Sequence, residues 1–232
     1  MKISLVIPAF KEEAVIEKTL TQYYNYFSKN VKSFEIIVVF DGKDRTGEIA
    51  KEFSKKHKNV NVLEFENRLG KGGALIAGFK AANGDMIGFV DADASVSAVG
   101  YGKLIAKIKE GYGCAVASRR MPDSNITAKR PFKDSFGSRG WQVLVKILFR
   151  LGIEDTQCGG KIWSRTAMDV ILPKLTVTNL ACDVDLLWQT KKAGFKIKEV
   201  GVVWDNDIGN SVSSIRHWPN MLISLLKLFF RK

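Results

Sequence analysis

Short, mostly apolar runs alternate with helical stretches through the first half of this chain, and that alternation limits the folds open to it. Residues 3–7, 35–40, 60–65, 86–90 and 114–118 read as strands; residues 12–27, 46–57, 72–82 and 101–110 read as the helices between them. A strand that is apolar at consecutive positions has no face to give to water, so it must be covered on both sides. The expected fold is α/β, with a Rossmann-like, mostly parallel central sheet and helices on both faces. The chain has 232 residues, 46% of them apolar and 26% charged. That suits one domain with a sizeable core and excludes a disordered, collagenous or multi-span membrane chain.

In such sheets ligands bind beyond the carboxyl ends of the strands. Here those ends read Pro8-Ala9-Phe10, Asp41-Gly42, Asp91-Ala92-Asp93 and Ser118-Arg119-Arg120. Asp91 and Asp93, two residues apart where the chain leaves the sheet, are suited to a hard divalent cation. A cation there can bridge a diphosphate and neutralise charge building on a leaving group. Gly70-Lys71-Gly72-Gly73 opens a helix, and a glycine-rich helix start attracts phosphate. It is not a Walker A loop, and no G-x-G-x-x-G follows the first strand, so a P-loop NTPase and a nicotinamide enzyme are disfavoured.

The second half is less regular. Residues 141–151 and 218–232 read as apolar helices carrying basic residues, 155–161 as a polar loop, 183–191 as a helix and 195–204 as a strand. The C-terminal helix has Trp218 at one end and Lys227, Arg231 and Lys232 at the other, a pattern suited to a membrane interface. It also suits packing on the core or on a partner. No run reaches the roughly 18 apolar residues of a spanning helix. The opening MKISLVIPAF reads as a first strand, too short in its apolar run for a signal peptide.

Charge is unevenly placed. The chain carries a net +12; residues 1–117 have 17 basic and 14 acidic side chains, residues 118–232 have 19 and 10. Residues 119–150 alone hold 8 basic and 2 acidic. Such a surplus points to a polyanion. Acids at the other strand ends would repel a nucleic-acid backbone, and no nucleic-acid-binding motif is present, so a nucleic-acid partner is not expected. Cys114, Cys158 and Cys182 form no C-x-x-C pair, which fits a reducing compartment rather than a disulfide framework or zinc site. Two histidines, His57 and His217, leave little for a histidine-based triad.

Six segments, taken in order, resemble the family 2 glycosyltransferases with the GT-A fold: LVIPAFKEE, VVFDGKDRT, NRLGKGGAL, FVDADAS, ASRR and DTQCGGKIW. The nearest branches are the polyprenyl-phosphate sugar synthases, namely the dolichyl-phosphate glucosyltransferases and dolichol-phosphate mannose synthases; DTQCGGKIW is most similar to the former. The resemblance spans nearly the whole chain. There are departures. Lys11 stands where Asn is usual, Phe40 replaces an Asp, and the D-G element is one residue shorter. Ser95 stands where mannose synthases can place Gln, and their long transmembrane tails have no counterpart.

The resemblance implies a GT-A catalytic domain over residues 1–215, with a nucleotide-sugar half (1–117) and an acceptor half (118–215), and an amphipathic membrane-interface helix over 216–232. Pro8, Ala9, Phe10, Glu12, Asp41, Lys71 and Asp91 would bind the donor. Asp91 and Asp93 would hold Mg2+ or Mn2+. Ser118, Arg119, Arg139, Asp155, Gln157 and Lys161 would face the acceptor. Asp93, Arg119, Arg139, Asp183 and Asp185 would form the catalytic set, Asp183 and Asp185 matching an acidic pair that is usually Asp-x-Glu. The implied reaction inverts a hexose from a nucleotide diphosphate sugar, UDP-glucose ahead of GDP-mannose, onto a polyprenyl phosphate. The protein would sit peripherally on the cytoplasmic face of an anionic membrane, and a homo-oligomer is compatible with this. A soluble oligosaccharide or protein acceptor stays open. A sugar-phosphate nucleotidyltransferase is more remote, since Pro8-Ala9-Phe10 stands where its glycine-rich signature follows the first strand.

Overall fold

The computed structural model describes residues 1–127, 136–205 and 214–231; in the helices that open at 136 and 214, side chains are described from Gly140 and Trp218 onward. Arg139 falls on the first of these helices, with its side chain outside the described residues, and Lys232 lies outside them altogether.

Nine strands are present among the described residues: β1 (Lys2–Ala9), β2 (Ser33–Phe40), β3 (Val60–Glu64), β4 (Met86–Val90), β5 (Cys114–Ser118), β6 (Asn125–Ile126), β7 (Gly160–Ser164), β8 (Ile197–Gly201) and β9 (Val203–Trp204). The helices are α1 (Ile16–Asn30), α2 (Thr46–Lys56), α3 (Gly70–Ala81), α4 (Ala98–Lys109), α5 (Phe136–Phe149), α6 (Arg165–Ile171), α7 (Cys182–Lys192) and α8 (Ser214–Phe230). Seven strands form one sheet in the order β3-β2-β1-β4-β7-β5-β8. All its neighbours pair in parallel except β7, which runs antiparallel to both β4 and β5. β6 and β9 make a small parallel pair beside it.

The two-sided burial expected of apolar strands is seen residue by residue. Leu5 and Ile7 of β1, with Ile36 and Val38 of β2, face a core built with α1, α2 and α4. Val6, Ile37 and Val39 face the opposite core, with α3, α5, α6, α7 and α8. Burying each such side chain contributes roughly 1.5–3 kcal/mol, so both faces of the sheet are anchored. Ser97 and Ser164 cap α4 and α6, accepting from the Gly100 and Ala167 amides.

The second half differs from its sequence reading: α6 was not foreseen, and α5 and α8 open earlier than residues 141 and 218. Residues 155–161 do not remain a loop, because β7 begins at Gly160 and inserts between β4 and β5. Its signal was hidden by Lys161, a charged residue in a strand buried on both faces. The single strand expected over 195–204 divides at Val202, β8 joining the large sheet and β9 the small one. The short strand β6 had no period to betray it. No described helix is long and apolar enough to cross a membrane.

Candidate active site

The strand order runs outward from β1 to β2 and β3 on one side and switches to β4 on the other, all of them parallel, so the carboxyl ends of three neighbouring strands open onto one crevice. At one end, Phe10 follows β1 and presents its ring; the Arg68 guanidinium carbon lies 3.3 Å from the ring centre. Arg68 also pairs with Asp41 just past β2. Asp41 is buried, and its second oxygen accepts from the amides of Leu69 (2.7 Å) and Gly70 (3.0 Å). It therefore fixes the entry into α3. Arg68 was missed from the sequence, although it lies within the NRLGKGGAL segment; a single arginine before a glycine turn carries no signal of the ring it will stack on.

The glycines of α3 do not leave the expected phosphate cradle. The Gly72 and Gly73 amides donate to the Thr178 carbonyl at 2.8 and 3.3 Å. A Cβ at Gly72 would collide with the Val177 carbonyl oxygen and crowd Cys182. These glycines thus let α3 dock tightly on the start of α7. Since Leu69 and Gly70 are committed to Asp41, positive charge for a phosphate must come mainly from the Lys71 side chain.

Lys71 reaches the end of β4, where its ammonium lies 2.8 Å from Asp91. Asp91 is also held through its amide, which donates to the Gly159 carbonyl. Glycine at 159 leaves room for the Asp91 carboxylate, which a Cβ there would strike. Just after the second acid the chain turns through Ala94 at φ 53°, a left-handed conformation rare for a residue with a Cβ. The turn lets the Ser95 amide donate to Asp93 at 2.9 Å.

Four acids, Glu12, Asp44, Asp91 and Asp93, share this end of the crevice. Burial, then Asp93, Asp91 and Asp44, push Glu12 up to about 7. Burial and the neighbouring Asp91 raise Asp93. One oxygen of Asp44 is buried with no hydrogen-bond partner among the described residues. Clustered, partly desolvated carboxylates with an unmet oxygen fit a hard divalent cation, which would relieve their repulsion. No group of three or more His, Cys, Asp or Glu forms a complete cage among the described residues. Asp91 and Asp93 would therefore supply part of a shell and the donor's oxygens the rest.

Beneath Lys71 the charges continue inward. Lys71 donates to Asp183 at 3.1 Å, and Asp183 accepts from Lys161 at 2.5 Å. Lys161 has no exposed surface and also donates to the Cys158 carbonyl at 2.7 Å. Burial disfavours the charge on Lys71, but Asp183 and Asp91 outweigh it and hold its pKa well above the usual lysine value. Burial likewise opposes the Asp183 charge, and Lys161 and Lys71 overcome it, lowering that pKa.

Lys161 therefore lies in the interior, away from the acceptor surface expected of it. Asp185 also departs from expectation. Its carboxylate accepts from the Thr176 and Val177 amides and from Gln189, at 2.9, 3.1 and 3.1 Å. Residues two apart on a helix do not share a face, so Asp183 serves the crevice and Asp185 holds the turn before α7.

Arg119 meets Asp155 instead of presenting a free fork. Its Nε and Nη2 donate to the two carboxylate oxygens, both at 2.7 Å, and its amide adds a third bond at 3.0 Å. Both side chains are buried. Burial opposes the Asp155 charge, but Arg119 lowers its pKa in spite of this. Ser118 is also buried, and its hydroxyl accepts from the Arg120 amide. Of the expected acceptor residues, Gln157 retains unmet capacity: its Nε2, like the neighbouring Thr156 hydroxyl, is buried with no partner among the described residues.

Known proteins share the sequence pattern and the fold of this chain. The model for "Glycosyl transferase family 2" matches residues 4–172. The chain is 30% identical over its full length to glycosyltransferase AglD of Haloferax volcanii, of which it spans 37%. It is 31% identical to dolichyl-phosphate beta-glucosyltransferase ALG5D of Trichomonas vaginalis, over 99% of this chain and 74% of that one. It is 30% identical to dolichyl-phosphate beta-glucosyltransferase of Drosophila melanogaster, over 100% and 75%. Among solved structures, glucosyl-3-phosphoglycerate synthase from Mycobacterium tuberculosis in complex with UDP superposes with a TM-score of 0.73, over 98% of this chain and 80% of that one, at 19% identity. The same enzyme with Mn2+ and UDP-glucose gives 0.71, over 98% and 78%, at 17% identity.

Proposed function

The chain belongs to glycosyl transferase family 2 and has the GT-A fold, and from that premise we propose that it transfers a hexose from a nucleotide diphosphate sugar to a polyprenyl phosphate. The observation that carries this reading is Lys71, held between Asp91 and Asp183 beside an acid cluster at the carboxyl end of β4. A lysine and paired carboxylates at a strand end match the needs of a sugar diphosphate: one fixed positive charge, and ligands for a cation. The relatives named as dolichyl-phosphate beta-glucosyltransferases favour glucose as the sugar and dolichyl phosphate as acceptor; we put UDP-glucose, which the structural neighbour binds, first as donor and GDP-mannose second.

In this reading Asp91 and Asp93 hold Mg2+ or Mn2+, which when bound acts as a Lewis acid on the leaving diphosphate. Phe10 and Arg68 flank the nucleobase. Lys71 holds the diphosphate and stabilises the charge that develops there. The acceptor phosphate, with a second pKa of about 6, is already an oxyanion near neutral pH and needs little help from a base. That fits Asp185, whose carboxylate is taken up by the turn before α7.

α5 and α8 supply a surface for the lipid. Trp141 meets Trp218 and Phe149 meets Phe229 between the two helices, at ring-centre distances of 6.3 and 6.1 Å. Val143, Ile147, Ile223 and Phe230 stay exposed, near Lys146, Arg150, Lys227 and Arg231. Exposed apolar residues among cations suit a peripheral position on the cytoplasmic face of an anionic membrane, each cation near the surface adding about 1 kcal/mol. A panel of nucleotide sugars with Mn2+, read by thermal shift, tests the donor assignment. UDP-glucose should give the largest stabilisation; no shift with any nucleotide sugar would remove the proposal.

A further inference from the structure

Lys161 is a charged side chain without solvent exposure, in a strand whose neighbours Gly160 and Ile162 are also buried. An apolar residue would be the ordinary occupant, because burying an ammonium group costs several kcal/mol unless it is paired. Its partners are Asp183 and the Cys158 carbonyl. It reaches neither solvent nor the crevice, so direct substrate contact does not explain it. What lies across Asp183 does. Lys71 shares that carboxylate, and both ammonium groups lie 5.2 Å from the centre of the Phe89 ring. Without Lys161, Lys71 and Asp183 would form a neutral pair. With it, the three groups carry a net single positive charge, whose outward end is Lys71 beside Asp91.

We propose that Lys161 is a positioning residue for donor binding: it neutralises Asp183 from inside the protein and so leaves the Lys71 charge directed at the donor's diphosphate. This rests on the nucleotide-sugar reading of the crevice. At an effective dielectric constant near 20, a unit charge even about 15 Å away changes the affinity for a dianion by at least about tenfold. The effect should act on the diphosphate and spare the nucleoside.

The test compares binding of UDP and GDP, by calorimetry with Mg2+, and of uridine and guanosine, by NMR, in the full chain. In Lys161→Met, the affinity for the preferred diphosphate should fall about tenfold or more, while its nucleoside stays within about twofold. The double variant Lys161→Met/Asp183→Asn removes both buried charges, restores the net single positive charge, and should return diphosphate binding to within about threefold of wild type. Equal weakening of nucleoside and diphosphate would show a merely structural role and overturn the inference. So would unchanged diphosphate binding in the single variant, or a double variant as weak as the single one. If the single variant does not fold, the double variant decides alone: a loss of about tenfold confined to the diphosphate refutes the charge role. Wild-type protein that binds neither diphosphate overturns the donor reading and this inference with it, an outcome distinct from all the others.

Discussion

Arg119 and Asp155 are joined inside the protein by two parallel hydrogen bonds of 2.7 Å, so the end of β5 is tied to the segment that leads into β7. Asp155 is anchored further through its own amide, which donates to Glu199 on β8 at 2.9 Å. The pair organises the acceptor side from within. Removing one member of a buried ion pair leaves an uncompensated charge, at a cost of about 3–5 kcal/mol. Asp155→Ala should therefore lower the unfolding free energy in denaturant titration by about that amount; a loss below about 1 kcal/mol would place the pair at no structural junction.

Gly159 and Asp91 give a second expectation. A methyl group at residue 159 would meet the Asp91 carboxylate and push it off Lys71. Gly159→Ala should fold yet lose about 100-fold in turnover, since displacement of a reacting group by about 1 Å costs that much. Near-normal turnover, with the fold verified by circular dichroism, would mean that the Asp91 position is not critical.

Glu12 makes stability depend on pH in a particular direction. Its folded pKa of about 7 lies above the ordinary value of 4.5, chiefly through burial and then through Asp93, Asp91 and Asp44. The folded state therefore keeps a proton that the unfolded state has released. The stabilising contribution is complete below the ordinary value and is lost as the pH rises through about 7. In chelator-treated protein, the melting temperature of wild type relative to Glu12→Gln should fall between about pH 5 and pH 8. A constant difference across that range would contradict the acid cluster.

The exposed apolar residues of α5 and α8 bear on membrane attachment. Wild-type protein should sediment with phosphatidylserine vesicles at low salt and release at high salt, as surface cations are screened. Ile147→Glu and Phe230→Glu should each weaken sedimentation at low salt without lowering the melting temperature, because both residues are exposed. Equal binding by wild type and both variants would move the attachment surface elsewhere.

The first half of the fold was legible because its strands are apolar at consecutive positions and its acids stand where the chain leaves the sheet. The second half was less so, for an identifiable reason. Its decisive contacts join residues far apart in sequence, such as Lys71 with Asp183 across 112 positions and Arg119 with Asp155 across 36. Local pattern reads Lys161 as a polar break, whereas Asp183 makes it a strand residue. Helical spacing alone separates Asp183 from Asp185, and would have signalled that the two could not act as one pair. The glycines of α3 read as a helix start open to phosphate, but what meets their amides is the Thr178 backbone.

Transfer of sugar to a lipid phosphate is tested most directly by incubating the full chain with Mn2+, dolichyl phosphate and labelled UDP-glucose, then extracting with organic solvent. Label should enter the organic phase as a mild-acid-labile product, and Asp93→Ala should reduce it by at least about a thousandfold, as expected when several kcal/mol of charge stabilisation is lost. Label that stays wholly in the aqueous phase with every nucleotide sugar tried, or undiminished transfer by Asp93→Ala, would contradict the proposed acceptor or the proposed role of the β4 acids respectively.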